Sequence, residues 1–386
     1  MIYIQTERIL LRHKNFDKVK TSLHHYFGQL PDPRIHRNKK HLLIDIIVLS
    51  IIAVLCGAES WNSIELFGNS KKEFLSTILK LPNGIPSHDT INRVFSIINP
   101  GKFEQLFIQW VQSLIDTRIS GEVIAIDGKT MRGSKDGYHD KSPIHIVSAW
   151  ANSNQLVLGQ TKTSEKSNEI TAIPELLNML DIEECIITID AMGTQKKISE
   201  TIIDKQADYI LALKGNQGYL KEEVQNTFLR QQPDSTDETV EKGHGRIETR
   251  KCEVINKLDF LDEKEQWAGL KSIARVTASR EINGKQTSEE RLYISSVVSD
   301  AKNFNTFIRQ HWGVENSLHW TLDVTFREDD QRKRNGYAAS NFALVEKIAL
   351  NLLKSEESRN MSIKSKRLVA AWDHEFLLKV LRVKTS

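Results

Sequence analysis

Cysteine is scarce in this sequence of 386 residues, which contains only Cys56, Cys185 and Cys252. The three are isolated and odd in number, so they provide neither a disulfide framework nor the CxxC pairs of a zinc site. This scarcity argues against a disulfide-stabilised secreted domain and fits a reducing cytosol. We therefore expect a cytoplasmic protein.

Long hydrophobic runs are also missing. The one membrane-like run, LLIDIIVLSIIAVLCGA at residues 42–58, is interrupted by Asp45 and is shorter than the ~20 apolar residues that cross a bilayer. The first residues, MIYIQTERILLRHKNFDK, lack the continuous apolar segment and the small-residue cleavage site of a signal peptide. The sequence therefore predicts no membrane association, and the run at 42–58 is interpreted as a buried core helix.

Charge of one sign is not in large excess, because 53 basic residues face 50 acidic ones and the formal net charge is +3. This balance permits nucleic-acid binding without requiring it. Residues 1–40, in contrast, are basic. They are predicted to form an arm in which Lys39 and Lys40 contact DNA phosphates, and the alternative is a solvated lead-in segment.

Apolar residues suffice for a large core, since 39% of the chain is hydrophobic and its length is that of two or three domains. Residues 41–117 show helical apolar spacing and predict a small helical DNA-binding domain. Within it, Ser87 is predicted to cap a helix. That helix would bury Ile91, Val94 and Phe95 and expose His88, Asn92 and Arg93. Its exposed residues would read a DNA groove, or, in the alternative, the helix only packs against the rest of the domain.

Residues 118–219 change to a strand pattern. Three β-branched runs, EVIAIDGKT, IHIVSAWAN and QLVLGQTKT, predict an antiparallel meander. A helix, a strand, a second helix and a second strand are predicted after it. Because this is the element order of an RNase H-like fold, the predicted fold class is α/β with an RNase H-like catalytic core.

The remaining sequence interrupts and then completes that core. Residues 220–300 predict an inserted β-rich unit, which starts with an amphipathic helix and contains three strand-like runs. Residues 301–350 return to helical spacing, and residues 351–386 form a basic helical tail. Trp312 and Trp320 in the helical part are interpreted as core residues.

Three carboxylates occupy positions that suit a metal site. Asp127 ends the strand run VIAID, Asp190 ends the run IITID, and Glu315 lies in the helical run at residues 308–330. Each has an ordinary interpretation alone, because an Asp after a strand often caps a turn and a helical Glu is usually solvated. Together they form an oxygen-only ligand set, which favours Mg²⁺ or Mn²⁺ over zinc. A pair of such ions can activate the attacking and leaving oxygens of phosphoryl transfer.

Several segments carry a family resemblance. IDGKTMRGS, TIDAMGTQ, LALKGNQ, GHGRIETR and RQHWGVENSLHWTLDVTFRED resemble the successive motifs of bacterial insertion-sequence DDE transposases, in the group of the H-repeat-associated proteins. HYFGQLPDPR and the helical block after it resemble the N-terminal associated domain of that group. The resemblance implies that Asp127, Asp190 and Glu315 are the catalytic, metal-binding triad and that the cofactor is two Mg²⁺ or Mn²⁺ ions.

Basic and aromatic residues near these motifs are predicted to contact DNA, although each has an alternative as a surface or packing residue. Those near the mouth of the site are Lys129, Arg132 and Lys214. Those in the inserted unit are His244, Arg246 and Trp267, the last as a stacking platform for an unpaired base. Those before Glu315 are Arg309 and His311.

The resemblance implies a DNA transposase, which cuts the ends of an insertion sequence and joins the 3′-hydroxyl to target DNA. Its expected partner is double-stranded DNA, on which it would assemble as a homodimer at the nucleoid. Two other function classes stay open. One is an RNase H-like nuclease that cuts without strand transfer, and the other is a domesticated DNA-binding protein without catalysis.

Overall fold

The N-terminal part of the protein is helical. The computed structural model describes residues 22–35, 39–115, 120–138, 142–163, 169–243, 245–259 and 261–382. The first helices are α1 (Ser22–Phe27), α2 (Leu43–Leu55), α3 (Trp61–Ser70), α4 (Lys72–Leu75), α5 (His88–Ile97) and α6 (Pro100–Gln112). Within the ranges just given, no helix is long and apolar enough to cross a membrane.

Helix α2 lies at the centre of the helical part. Its sequence LIDIIVLSIIAVL is apolar on nearly every side, and all of its residues except Ile44 are buried. The buried carboxylate of Asp45 accepts hydrogen bonds from the backbone N–H groups of Lys80 at 3.2 Å and Leu81 at 2.8 Å. These bonds compensate the carboxylate for its lost water. The interpretation of this run as a core helix is confirmed.

Helix α5 begins at the cap that its sequence predicts and buries the predicted apolar face, but His88 and Asn92 on the other face are half-buried. The Ser87 side chain caps it by accepting a hydrogen bond from the backbone N–H of Thr90. The apolar face packs against α3 and against the long C-terminal helix described below. That face is buried as expected and consists of Ile91, Val94 and Phe95, whereas Arg93 is exposed.

A nine-stranded sheet follows the helical part. Its first half comprises β1 (Val123–Thr130), β2 (His145–Ala151), β3 (Leu156–Lys162), α7 (Glu169–Met179), β4 (Ile186–Ile189), α8 (Lys196–Asp204) and β5 (Asp208–Leu213). Strand β1 pairs antiparallel with β2 and parallel with β4, and β4 pairs parallel with β5. The resulting order, β3-β2-β1-β4-β5, is the RNase H-like arrangement that the sequence predicts.

The inserted unit continues this sheet and does not form a separate one. It comprises α9 (Gly218–Arg230), β6 (Ser235–Gly243), β7 (Arg246–Ile255), β8 (Ser272–Ile282) and β9 (Lys285–Ser295). Strand β9 pairs antiparallel with β5, so the sheet order runs on as β5-β9-β8-β7-β6. The three predicted strands are present. Strand β6 is missing from the prediction because its sequence, STDETVEKG, shows no apolar alternation and is largely exposed.

The C-terminal helices cross the sheet and close one of its edges. Helix α10 (Ala301–His311) lies across one face and contacts β1, β4, β6, β7 and β8. A π-helical turn (Val314–His319) and α11 (Trp320–Thr325) follow it, and the π-helical turn contacts β1. In helix α12 (Ala338–Lys354), the Asn351 side chain bonds both backbone groups of Val157 and so covers the edge strand β3. Helices α13 (Ile363–Trp372) and α14 (His374–Val380) end the described chain.

Candidate active site

Asp127 lies in β1 and Asp190 directly follows β4, and both are at the carboxyl end of the parallel pairing between these neighbouring interior strands. In the parallel pairing of β1 with β4, Ile126 is opposite Ile189, so the two aspartates follow a matched pair. Ligands of open α/β sheets bind at the carboxyl ends of parallel strands. The Asp190 carboxylate accepts hydrogen bonds from the backbone N–H groups of Met192 at 3.0 Å and Gly193 at 3.4 Å. Asp190 therefore caps a turn as well as facing the site.

The environment of Asp127 disfavours a negative charge. Its side chain is 20% exposed. Burial raises the pKa of Asp127 to about 7, and the charges of Glu169, Asp190 and Glu315 add to this effect. A hydrogen bond from the Gly128 backbone opposes it. The pocket around Asp127 thus has unbalanced negative charge, which a cation would relieve.

Glu315 lies in the π-helical turn between α10 and α11, and its side chain is exposed. π-helical turns within α-helices are frequent at functional sites. The turn begins just after Gly313, where a Cβ atom would collide with the side-chain oxygen of Asn152. Throughout the described ranges, no three Asp, Glu, His or Cys side chains are gathered closely enough to hold a metal ion as they stand.

His319 is the residue of the π-helical turn that contacts Asp127. Its Nδ1 lies 3.3 Å from Asp127 Oδ2. Burial lowers the pKa of His319 to about 3, and the charges of Lys129, Lys347 and His145 lower it further. The imidazole is therefore neutral, and its Nδ1 makes a polar contact with the Asp127 carboxyl group. No motif singles out His319, although it lies four residues after Glu315.

A second polar pair covers the backbone next to Asp127. His145 Nε2 lies 2.7 Å from Glu169 Oε1, and His145 Nδ1 lies 2.9 Å from the Thr130 hydroxyl. A Cβ atom at position 128 would collide with both members of the pair, which explains why Gly128 follows Asp127. Glu169 is thereby fixed beside Asp127. No sequence signal used above points to this pair.

Comparisons with known proteins identify the family. The model of the transposase DDE domain matches residues 119–352, and the model of the DDE transposase-associated region matches residues 24–111. The chain belongs to the DDE transposase family. Transposition is therefore the function class of its relatives, and the resemblance noted in the sequence is confirmed.

Two relatives from Escherichia coli cover most of this transposase. YncI from strain O157:H7, a protein provisionally named as a transposase, is 46% identical over 93% of this chain and 94% of its own length. The H repeat-associated protein YhhI from strain K12, which has a similar provisional name, is 44% identical over 91% of this chain and 95% of its own. A cryo-EM structure of the piggyBac transposase synaptic complex with hairpin DNA matches with a TM-score of 0.44 and 14% identity. The match covers 94% of this chain and 77% of the piggyBac chain.

Three of the residues predicted to contact DNA are engaged inside the transposase. Lys129 forms ion pairs with Asp323 and, at 2.6 Å, with Glu328. Although burial lowers the pKa of Lys129, these carboxylates raise it overall. Lys129 thus links β1 to the segment after Glu315, which contradicts its predicted phosphate contact.

His311 and Trp267 are the other two. His311 is half-buried, its Nδ1 lies 3.0 Å from the Thr188 hydroxyl, and burial lowers its pKa to about 4. Trp267 is 2% exposed and belongs to the main hydrophobic core. The Trp267 ring has no face free for DNA, so its predicted stacking role is wrong for this conformation, whereas the DNA contact of His311 stays a prediction. The interpretation of Trp320 as a core residue is also wrong, because its side chain is 60% exposed.

The other predicted contacts lie on the surface of the transposase, in three regions. Arg132 and Lys214 are exposed after β1 and β5. Lys39, Lys40, Asn92 and Arg93 lie on the helical part, where His88 is held by Glu65 through a 2.6 Å contact. Arg246 and Arg309 line a groove on the inserted strands. His244 lies outside the described residues.

Proposed function

We propose that this transposase cuts DNA at the ends of an insertion sequence and joins the freed 3′-hydroxyl to target DNA. The proposal rests on one observation above all. Asp127 and Asp190 directly follow Ile126 and Ile189, the last paired residues of the parallel strands β1 and β4, and Glu315 lies on a later turn that contacts β1. This order of a strand, a second strand and a later helix is the one in which the family carries its triad.

The side chains around Asp127 offer the oxygen donors that divalent cations require, although those among the described residues are not gathered into a ligand cluster as they stand. Carboxylate oxygens are the ligands that Mg²⁺ and Mn²⁺ prefer. The raised pKa of Asp127 reflects first its burial and then the acids around it, so the pocket favours a bound cation. Asp127, Asp190 and Glu315 would hold the ions. When bound, such ions supply the positive charge that activates the attacking and leaving oxygens.

The protein's own residues have separate tasks in this proposal. His319 places its Nδ1 3.3 Å from Asp127 Oδ2, and this contact would keep the Asp127 carboxylate turned towards the site. Asp190 is fixed by two backbone N–H groups, so its orientation is set before DNA binds. The ion pairs of Lys129 with Asp323 and Glu328 fix the segment after Glu315 against β1. The three acids are thereby held on elements that are joined by polar contacts.

His319 gives a first test of this arrangement. We expect His319→Leu to weaken Mn²⁺ binding by about tenfold or more, because loss of a partner that orients a metal ligand has effects of this size. His319→Asn should stay close to the unchanged protein, since the asparagine amide can place an N–H where Nδ1 lies. A Mn²⁺ titration followed by electron paramagnetic resonance measures both variants. Equal weakening in both variants would point to lost packing and not to the polar contact of His319 with Asp127.

The helical part is proposed to recognise the ends of the element. Removing residues 1–114 is not a usable test, because α2 packs against α12 and α6 packs against β3. Point variants avoid this difficulty. We expect Lys40→Gln to lower the salt dependence of DNA binding, and Arg93→Gln to reduce the preference for true ends over random DNA.

A matched control for these variants is Lys102→Gln, which removes an exposed positive charge from α6 in the same helical part. It should leave both the salt dependence and the end preference unchanged. Binding to end and random duplexes across a salt series provides the measurement. If Arg93→Gln kept the full preference for true ends, α5 would not be the recognition helix.

The reaction itself is tested with DNA that carries the inverted repeats flanking the gene. With Mg²⁺ and a target plasmid, the transposase should produce nicked ends and then joined products. Cutting without joining would favour the RNase H-like nuclease, and binding without cutting under any metal would favour the DNA-binding protein. We also propose that two copies assemble on paired ends at the nucleoid, and light scattering of the DNA complex measures the number of copies.

A further inference from the structure

The inserted strands form a groove whose floor is rich in arginine. Residues of β6, β7, β8 and β9 line a space of about 1150 Å³ that the segment around Glu315 closes on one side. Gly313, Asn316 and Ser317 belong to that segment. We call this space the arginine groove, after its five guanidinium groups: Arg246, Arg250, Arg280, Arg291 and Arg309. The groove therefore adjoins the turn that carries one of the three catalytic acids.

Positive charge in the arginine groove exceeds negative charge. Its lining includes only three carboxylates, those of Glu241, Glu248 and Glu289, against the five guanidinium groups. Glu241 pairs with Arg309 at 2.7 Å, and Glu289 pairs with Arg291 at 2.9 Å. Glu248 is shared by the two remaining paired arginines, Arg246 at 3.0 Å and Arg280 at 2.8 Å. Two positive charges are left in excess.

Arg250 has no carboxylate partner among the described residues, and its side chain is half-buried in the arginine groove. Its Nε–H donates to the Asn305 side-chain oxygen at 2.8 Å, which is a neutral acceptor. Burial lowers the pKa of Arg250, and the like charges of Arg309 and Arg291 lower it further. Arginine stays protonated all the same. A guanidinium that is partly desolvated and repelled by its neighbours would gain from an incoming anion.

We propose that the arginine groove binds the phosphodiester backbone of duplex DNA beside the active site, with Arg250 as its central phosphate contact. This inference rests on the proposed function. The size of the groove suits a polyanion better than a single phosphate ion. Its arginines offer planar donor pairs that match phosphate oxygens. The lining includes one aromatic residue, Trp312, and the Arg291 guanidinium already lies 4.4 Å from the centre of its ring. Contact with the backbone is therefore favoured over stacking on bases.

The opposite face of the inserted strands provides a matched control. There Arg275 of β8 is paired with Glu253 of β7 at 2.8 Å, and its guanidinium lies 4.6 Å from the centre of the Phe228 ring. Because strand side chains alternate between faces, Arg275 cannot reach the groove that Val276 and Ala278 line. Arg275 and Arg250 thus differ in face and charge balance but share the same sheet.

The test measures binding of a labelled random-sequence duplex by fluorescence anisotropy in EDTA, so that strand cutting cannot contribute. For Arg250→Gln we expect about tenfold weaker binding and a decrease of about 1 in the slope of log affinity against log salt concentration. Arg250→Lys keeps the charge and should keep most of that slope. Arg275→Gln should bind DNA like the unchanged protein. Melting curves of all three variants show whether each is folded.

Two results would overturn the inference, and they are distinguishable from failure of the proposed function. Equal slopes for folded Arg250→Gln and the unchanged protein would remove Arg250 from the DNA path. An equal loss of slope in Arg250→Gln and Arg275→Gln would show that only overall charge matters. If the unchanged protein bound no duplex DNA at all, the proposed function would fail together with this inference.

Discussion

Strand cleavage should fall by roughly a hundred- to a thousandfold in Asp127→Asn, Asp190→Asn and Glu315→Gln if the three acids act as proposed. Each substitution removes a negative charge that holds a cation, and loss of one preorganised charge contact has effects of this order. DNA binding should persist, because affinity rests mainly on phosphate contacts elsewhere. Nicking of an end-containing duplex, measured beside binding of the same duplex, tests both expectations.

Amide substitutions are preferred to alanine for a structural reason. Asp190 also caps the turn after β4, and asparagine keeps the acceptor for Met192 and Gly193 whereas alanine would remove it. Glu200→Gln is the matched control, since Glu200 is an exposed acid on α8. Cleavage retained at the level of the Glu200→Gln variant would remove the residue concerned from the triad.

The fold follows from the sequence where burial and periodicity agree. The runs that end at Asp127 and Asp190 are β-branched and buried on both faces, so they are recognised as strands, and their order fixes the RNase H-like arrangement. The Ser87 cap and the apolar face of α5 are recognised for the same kind of reason. Strand β6 lacks this signal because it is a largely exposed edge strand, held by pairing with β7.

The active site is less readable from the sequence than the fold. Asp127, Asp190 and Glu315 end or follow patterned elements, and the family motifs point to them. His319 and Glu169 come to Asp127 only through tertiary packing, so neither spacing nor propensity reveals them. Lys129 looks like a phosphate contact because it follows Asp127, yet its partners Asp323 and Glu328 are nearly two hundred residues away in the chain.

Single aromatic residues are the hardest to interpret from sequence. Trp267 stands in a polar stretch, EKEQWAG, which leaves both a core position and a base-stacking position open, and the structure places it in the core. Trp320 stands at helical spacing among apolar residues and is assigned to the core, but it is exposed. Local pattern therefore leaves one case open and gives the wrong answer in the other. Which face of a short element turns inward is decided by the elements packed against it.

Trp267→Ala should consequently act on stability and not on one catalytic step. Its ring is 2% exposed, and its loss would leave a large cavity in the main core. Replacement of a buried tryptophan by alanine costs about 3–5 kcal/mol of folding free energy. The indole N–H has no hydrogen-bond partner in the described part of the chain, so no lost hydrogen bond adds to this cost. We expect a clearly lower melting temperature.

The catalytic readout separates packing from base stacking. If Trp267 only packs, first-strand nicking and second-strand release should fall together, in proportion to the fraction of protein that is unfolded. Trp320→Ala is the matched control, because the loss of an exposed tryptophan should change stability by no more than about 0.5 kcal/mol. Melting curves and separate assays of the two strands, at a temperature where Trp267→Ala is still folded, provide the measurement. Normal nicking with second-strand release slowed about tenfold or more in the folded variant would instead restore the stacking role, and would require Trp267 to leave the core when DNA binds.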